Sequence, residues 1–255
     1  MRKLAIPGLL LGLLLALGPL TTSVAAAEPS WTVIGFSQGG RPLVVQHLGD
    51  GARRVLLVGG QHGGPEANTI RLADGLLTYF ADHPEELPAA AGLDFLTAAN
   101  PDGAESGSRQ FLSGVDPNRN WGSADWQADA WDSNGLFRPG LGGPSPFSEP
   151  ETRALRGWIL DSRPELVINY HSAGGFMFGG QGEVVEAYAE ASGYRRPTPG
   201  GPSPLGYRVT GSMNVWLREQ GLPGILIELT SPYNPEIERN LAGLRAVLRV
   251  LSPES

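Results

Sequence analysis

Short apolar runs that end near a polar side chain limit the possible folds of this sequence more than any other feature does. Residues 55–58 are apolar and lead through Gly59, Gly60 and Gln61 to His62, and residues 166–170, which are apolar except for Asn169, lead directly to His171. Runs of this length are typical of strands that are buried on both faces of a sheet. Because ligands bind at the carboxyl edge of open parallel sheets, we expect both histidines to lie at that edge.

The rest of the sequence alternates between predicted strands and predicted helices. Strands are predicted at residues 31–36, 42–47, 54–58, 93–98, 166–170 and 225–229, and helices at residues 65–81, 148–161, 183–191, 212–220 and 234–251. This alternation predicts a single α/β domain, in which a mixed, mostly parallel β-sheet is flanked by helices. Residues 104–146 have no predicted element, and an irregular segment of this length is typical of a functional loop.

The first 27 residues have the features of an export signal. Arg2 and Lys3 precede an apolar core at residues 4–20, and Ala25-Ala26-Ala27 resembles a cleavage site. We therefore expect a signal peptide at residues 1–27, a single folded domain at residues 28–255, and a secreted or periplasmic location. After signal cleavage we expect no membrane association; the alternative for this segment is an uncleaved membrane anchor.

Cysteine content and charge exclude several classes of protein. The sequence contains no Cys, which excludes disulfides, cysteine nucleophiles and thiolate metal ligands. It contains 19 Lys and Arg against 26 Asp and Glu, so removing Arg2 and Lys3 leaves 17 against 26, a net charge of −9. Such an acidic domain is a poor partner for nucleic acid. We expect a monomer that does not bind nucleic acid.

Three residues are candidate metal ligands. Glu66 falls in the first turn of a predicted helix, four residues after His62, and this spacing lets both side chains reach one ion. His171 ends the other buried strand. Two imidazoles and one carboxylate, with one position left for water, are typical of a catalytic zinc site rather than a structural one. The sequence therefore predicts one zinc ion per chain.

Other residues could supply the remaining groups that amide hydrolysis needs. Glu228 is the lone acid in an apolar strand, and burial there would raise its pKa into the range that suits a general base. Arg109, Asn118 and Arg119 lie in the long irregular segment. One arginine for the oxyanion and an Asn-Arg pair for a free substrate carboxylate would together form an exopeptidase site.

Taken in order, these segments resemble the zinc carboxypeptidases of the carboxypeptidase A type, peptidase family M14. The chain looks like a small, secreted, bacterial-type member of that family. The matching segments are residues 59–62, 100–103, 109, 115–121, 148–149, 169–172 and 227–229. They occur in the order found in the family and span nearly the whole chain after residue 27.

The resemblance implies a role for each candidate residue. Three residues would bind zinc: His62, Glu66 and His171. Glu228 would act as general base and acid, and Arg109 would polarise the scissile carbonyl. Asn118 and Arg119 would hold the terminal carboxylate of a peptide substrate.

Two further residues are implicated by their positions relative to the family. Tyr207 precedes Glu228 by about twenty residues, where the family often has a mobile tyrosine that closes over the substrate. Met213 falls where we expect the pocket for the terminal side chain, and it favours an apolar or neutral residue. The first motif departs from the family pattern because His62 and Glu66 are one residue further apart. We expect Gly63-Gly64 to absorb the extra residue.

The expected activity is removal of the C-terminal residue from peptides with a free carboxylate. A close variant is a cell-wall amidase that cleaves the bond between D-glutamate and diaminopimelate. A zinc-dependent deacylase of small acyl-amino acids is a second alternative. A binding module that has kept the fold and lost the chemistry is the third.

Overall fold

Residues 28–198 and 203–252, which the computed structural model describes, form nine strands and six helices. The strands are β1 (Ser30–Phe36), β2 (Pro42–Leu48), β3 (Arg53–Val58), β4 (Ala91–Leu96), β5 (Ala130–Trp131), β6 (Phe137–Arg138), β7 (Leu166–Ser172), β8 (Phe176–Gly179) and β9 (Gly224–Leu229). The helices are α1 (Asn68–Asp82), α2 (Pro101–Ser106), α3 (Pro150–Ser162), α4 (Glu183–Ser192), α5 (Met213–Glu219) and α6 (Ile237–Leu251). The predicted signal peptide, residues 1–27, lies outside the described residues.

Seven of these strands form one mixed sheet in the order β1-β2-β4-β3-β7-β9-β8. The four central strands, β4, β3, β7 and β9, are parallel, whereas β1, β2 and β8 pair in antiparallel fashion at the edges. The predicted α/β fold with a mostly parallel sheet is therefore confirmed. Strands β5 and β6 form a separate small hairpin inside the long segment that had no predicted element.

Helices cover both faces of the sheet, and each face has its own apolar core. On one face, side chains of α1, α4 and α6 pack on the sheet, among them Leu76, Val185 and Leu244. On the other face, α3 and α5 contribute Ile159 and Trp216. Burial on both faces explains why the central strands are mostly apolar. None of the described helices combines the length and the apolar run that crossing a bilayer would require.

Two further elements of the structure were not predicted. Residues 100–103, which follow the predicted strand at residues 93–98, begin helix α2. The Asn100 side chain caps this helix by accepting a hydrogen bond from the Gly103 N–H at 2.9 Å, and Pro101 occupies its first position. Strand β8 was not predicted, because four residues at a sheet edge give too short a pattern to recognise.

Candidate active site

The ends of β3 and β7 bring His62 and His171 together. His62 follows β3 after a bend at Gly60, whose φ is +55°. A side chain at Gly60 would also place its Cβ 2.6 Å from Ile70, so only glycine fits this bend. In the sheet His171 of β7 pairs with Glu228 of β9. The predicted meeting of these residues at one sheet edge is thus seen in the structure.

Glu66 turns its carboxylate toward both histidine rings. One oxygen lies 3.0 Å from His62 Nδ1 and the other 3.1 Å from His171 Nδ1. The extra residue in this motif is accommodated by a short 3-10 turn at Gly64–Glu66, where Gly64 has a φ of +58°. Gly63-Gly64 therefore absorb the longer spacing in the way the sequence led us to expect.

The donor set of this cluster fits a zinc ion. The two Nδ1 atoms are 3.1 Å apart, and the three candidate ligand atoms all lie within 4.8 Å of one another. All three residues are buried. Two imidazole nitrogens and one carboxylate oxygen are ligands that Zn²⁺ takes, and they leave a position for water.

Both histidines have a second partner that orients the ring. His62 Nε2 lies 2.9 Å from Asp116 Oδ1, and His171 Nε2 lies 2.9 Å from the Asn169 side-chain amide. His62 thereby presents Nδ1 to Glu66 and Nε2 to a carboxylate, which is the usual arrangement around metal-binding histidines. His171 also presents Nδ1 to Glu66, whereas its Nε2 faces the Asn169 amide nitrogen, which is a donor. Sequence reasoning missed Asp116, although it stands in the segment 115–121 that carries the family resemblance.

Asp116 also connects this cluster to the substrate side of the site. Arg109 Nε donates to Asp116 Oδ2 at 3.1 Å, and the Asn118 backbone N–H donates to Asp116 Oδ1 at 2.8 Å. Burial alone would raise the pKa of Asp116, but Arg109, His62 and Arg119 hold it well below its usual value. Asp116 is therefore an ionised residue at the centre of the network.

The protonation states of Glu66 and His171 suit a cation. Burial raises the pKa of Glu66, but His62 and Arg109 outweigh it and hold that pKa well below the usual value. Burial lowers the pKa of His171 to about 4, so its imidazole is neutral near pH 7. An ionised carboxylate and a neutral imidazole are the forms that bind metal.

We expect Asp116→Asn to weaken zinc binding by about 10- to 100-fold, the usual cost of losing an outer partner of a metal-binding histidine. The amide keeps the size of the side chain but removes the charge that faces His62 and Arg109. Competition with a zinc chelator of known affinity measures the change. Asp132→Asn, which alters a carboxylate paired with Arg138 in the β5–β6 hairpin, is the matched control and should bind zinc like the parent. Equal affinity in both variants would contradict this role for Asp116.

Glu228 has the environment expected of a general base. It is buried, with 9% of its surface exposed, and its carboxylate accepts no hydrogen bond from any other described residue. Burial, and then the negative charge of Glu66, raise the pKa of Glu228 to about 7. A carboxylate with such a pKa can both accept and release a proton near neutral pH.

A cavity of about 660 Å³ connects Glu228 and His171 to the three predicted residues of the long irregular segment. Arg109, Asn118 and Arg119 line it. Arg109 also forms an ion pair with Glu66, so it lies directly beside the candidate metal cluster. The long irregular segment therefore contributes one wall of the site, as its position between the metal-binding segments led us to expect.

Arg119 is the most constrained of these residues. Only 1% of its surface is exposed, its Nε donates to the Trp131 carbonyl at 3.1 Å, and its Nη1 donates to the Asn118 carbonyl at 2.9 Å. Its Nη2 is buried and has no hydrogen-bond partner among the described residues. Leaving such a donor unpaired costs about 1–3 kcal/mol, or more for a charged group. An anionic ligand in the cavity would remove that cost.

Tyr207 and Met213 differ in how they relate to the cavity. Tyr207 lines it, and its ring centroid lies 5.9 Å from the Arg119 guanidinium carbon. The Met213 side chain does not line it, contrary to expectation, because it is fully buried in the apolar core with Trp121 and Trp216. Its backbone N–H donates to Asn118 Oδ1 at 3.0 Å, and the next residue, Asn214, lines the cavity instead.

Comparisons with known proteins identify relatives of this chain. The family described as zinc carboxypeptidase, peptidase M14, matches residues 21–197. Murein peptide amidase A from Escherichia coli K12 is 28% identical over 202 residues, which cover 76% of this chain and 78% of that protein.

Solved structures share the fold at lower identity. The murein-tripeptide amidase from Escherichia coli O157 superposes with a TM-score of 0.67 and 24% identity, over 93% of this chain and 98% of that chain. Bovine thrombin-activatable fibrinolysis inhibitor gives a TM-score of 0.70 and 17% identity, over 88% of this chain and 90% of that chain. Both similarities support the same architecture.

Proposed function

The chain belongs to the zinc carboxypeptidase family of metal-dependent hydrolases, and from this we propose that it removes the C-terminal residue of peptides that end in a free carboxylate. One observation carries the proposal: a single cavity is lined by His171 of the candidate metal cluster, by Glu228, and by Asn118 and Arg119. The Nη2 donor of Arg119 has no hydrogen-bond partner among the described residues. A terminal carboxylate bound at Arg119 would place the last amide bond near Glu228.

The side chains divide the work of amide hydrolysis between them. Arg119 and Asn118 bind the terminal carboxylate, and Arg109 donates to the carbonyl oxygen, on which negative charge develops as water attacks. Zinc held by His62, Glu66 and His171 would supply Lewis-acid chemistry, which activates water and polarises a carbonyl.

Glu228 moves the proton in this scheme. It takes a proton from the attacking water as the new C–O bond forms, and it gives that proton to the amide nitrogen as the C–N bond breaks. The products are a shortened peptide with a new carboxylate and the free terminal amino acid. A group with a pKa near 7 suits both halves of this transfer.

We expect the zinc-loaded protein to release the last residue of a peptide that has a free C-terminal carboxylate. It should act at least about tenfold more slowly on the same peptide with an amidated C-terminus. The reason is that the amide removes the charge-assisted hydrogen bonds to Arg119, which are worth about 1.5–3 kcal/mol. Mass spectrometry of the products over time measures both rates. Equal rates for the two peptides, or cleavage at internal bonds, would contradict the proposal.

A murein peptide amidase is the second candidate function. It is favoured by the 28% identity to murein peptide amidase A over 76% of the chain. In this case the same residues would cleave the bond between D-glutamate and a terminal diaminopimelate. Export through a signal at residues 1–27 would bring a monomeric domain of residues 28–255 to the compartment that contains such peptides.

Stem-peptide fragments separate the two candidates. If the protein is a murein peptide amidase, it releases diaminopimelate from a tripeptide ending in D-glutamyl-diaminopimelate, and it leaves ordinary L-peptides intact. If it is a general carboxypeptidase, it releases the last residue of ordinary peptides as well.

A further inference from the structure

Two arginines line the cavity beyond the groups that the proposed function uses. Arg218 lies in the last turn of α5, and Arg208 lies in the loop that follows Tyr207. Both side chains are exposed, and neither forms an ion pair or a side-chain hydrogen bond with any other residue in the described part of the chain. They are therefore available to a ligand in the cavity.

The charge of the cavity is positive, although the protein as a whole is negative. Arg109 is paired with Glu66 and Asp116, and Arg119 lies 4.0 Å from Asp116, so these two arginines have nearby carboxylates. No carboxylate among the described residues forms an ion pair with Arg208 or Arg218. A concentration of uncompensated positive charge in a cavity of an acidic protein attracts an anionic ligand.

Helix α5 presents a polar face to the cavity. Asn214 and Arg218 are four residues apart on α5, which places them on the same face, and both line the cavity. Asn214 Oδ1 is buried without a hydrogen-bond partner among the described residues. Val215 and Leu226 also line the cavity and offer an apolar wall that suits methylene groups. The lining of the cavity thus combines apolar side chains with arginine side chains.

On the basis of the proposed function, we propose that Arg208 and Arg218 bind a second carboxylate, carried by the side chain of the substrate's C-terminal residue. The first carboxylate, at the chain terminus, goes to Arg119 and Asn118. A second carboxylate needs a second cation, because the Nε and Nη1 donors of Arg119 are already committed to backbone carbonyls. The expectation that Met213 favours a neutral terminal residue is thereby replaced by a preference for an acidic one.

Two sources could supply this side-chain carboxylate. A glutamate at the end of an ordinary peptide carries the carboxylate alone. Diaminopimelate at the end of a stem peptide carries it together with an ammonium group, for which the unpaired Asn214 Oδ1 offers an acceptor.

The test uses three peptides that differ only in the last residue: glutamate, glutamine or diaminopimelate. Values of kcat/KM are measured for the zinc-loaded protein and for the variants Arg218→Gln, Arg208→Gln and Arg218→Lys. Arg249→Gln changes an exposed arginine of α6 that does not line this cavity, and it serves as the matched control.

We expect the parent protein to prefer glutamate over glutamine by about tenfold, because a charge-assisted hydrogen bond is replaced by a neutral one. Each glutamine variant should lose most of that preference through KM, with little change in kcat on the glutamine peptide. Arg218→Lys should keep part of the preference, and Arg249→Gln should keep all of it. Greater activity on diaminopimelate than on glutamate would identify the stem peptide as the source.

The outcomes distinguish this inference from the proposed function. If the parent protein cleaves all three peptides without preference, or if both glutamine variants keep the preference, the assignment of Arg208 and Arg218 is wrong and the proposed function stands. If the zinc-loaded protein cleaves none of the three, the proposed function is wrong, and the inference fails with it.

Discussion

Replacing Glu228 with glutamine is expected to lower kcat/KM by about 10²- to 10⁴-fold, the usual contribution of a positioned general acid–base group. Glutamine keeps the shape of the side chain but can neither take a proton from water nor return it to the leaving amine. The zinc content should not change, because Glu228 is not part of the cluster formed by His62, Glu66 and His171. Steady-state kinetics and metal analysis of the same preparation measure both quantities.

A matched control separates this effect from a general loss of charge. Glu183→Gln removes an exposed carboxylate at the start of α4, which does not line the cavity, and should leave kcat/KM unchanged. If both variants keep the activity of the parent protein, a group other than Glu228 transfers the proton.

Losing an outer partner of a metal-binding histidine lowers metal affinity by about 10- to 100-fold. Glu66→Ala removes a candidate ligand itself, so it should reduce zinc affinity by more than this. One oxygen of the Glu66 carboxylate lies beside each Nδ1 atom, and its removal leaves two imidazoles with no anionic ligand. Activity should fall with the zinc content, and adding zinc in excess should restore at most a part of it. Zinc per chain after gel filtration, followed by kinetics at increasing zinc concentration, measures this prediction.

A second variant tests whether the effect is specific to the Glu66 carboxylate. Glu85→Ala changes an exposed carboxylate near the end of α1 and should retain zinc and activity. If Glu66→Ala binds zinc as tightly as the parent protein, a different acid holds the ion. Asp116, which contacts His62 from the other side, would then be the residue to test.

The central part of the fold and of the site could be predicted because it depends on local patterns. Apolar runs end at His62 and His171, and a lone acid stands in the strand at Glu228, so the sheet edge where they meet follows from the parallel order of the strands. The predicted pKa shift of Glu228 followed from the same pattern, since an acid in an apolar strand is buried.

The parts that escaped prediction depend on contacts between distant segments. Asp116 meets His62 only because residues 104–146 fold back over the sheet edge, and no periodicity in that segment indicates how it folds. Met213 and Asn214 differ by one position, yet one side chain enters the core and the other lines the cavity. A step of one residue rotates the side chain by about 100° around a helix axis, so an error of one residue at the start of α5 exchanges core and cavity.

The location of the metal ion tests the account most directly. Crystals of the zinc-loaded protein, measured on both sides of the zinc absorption edge, give an anomalous difference map that shows zinc alone. We predict one strong peak per chain within bonding distance of His62 Nδ1, His171 Nδ1 and a Glu66 carboxylate oxygen, at the roughly 2.0–2.2 Å typical of such ligands. A peak bound to other residues, or a protein that is fully active with no peak at this cluster, would contradict the account.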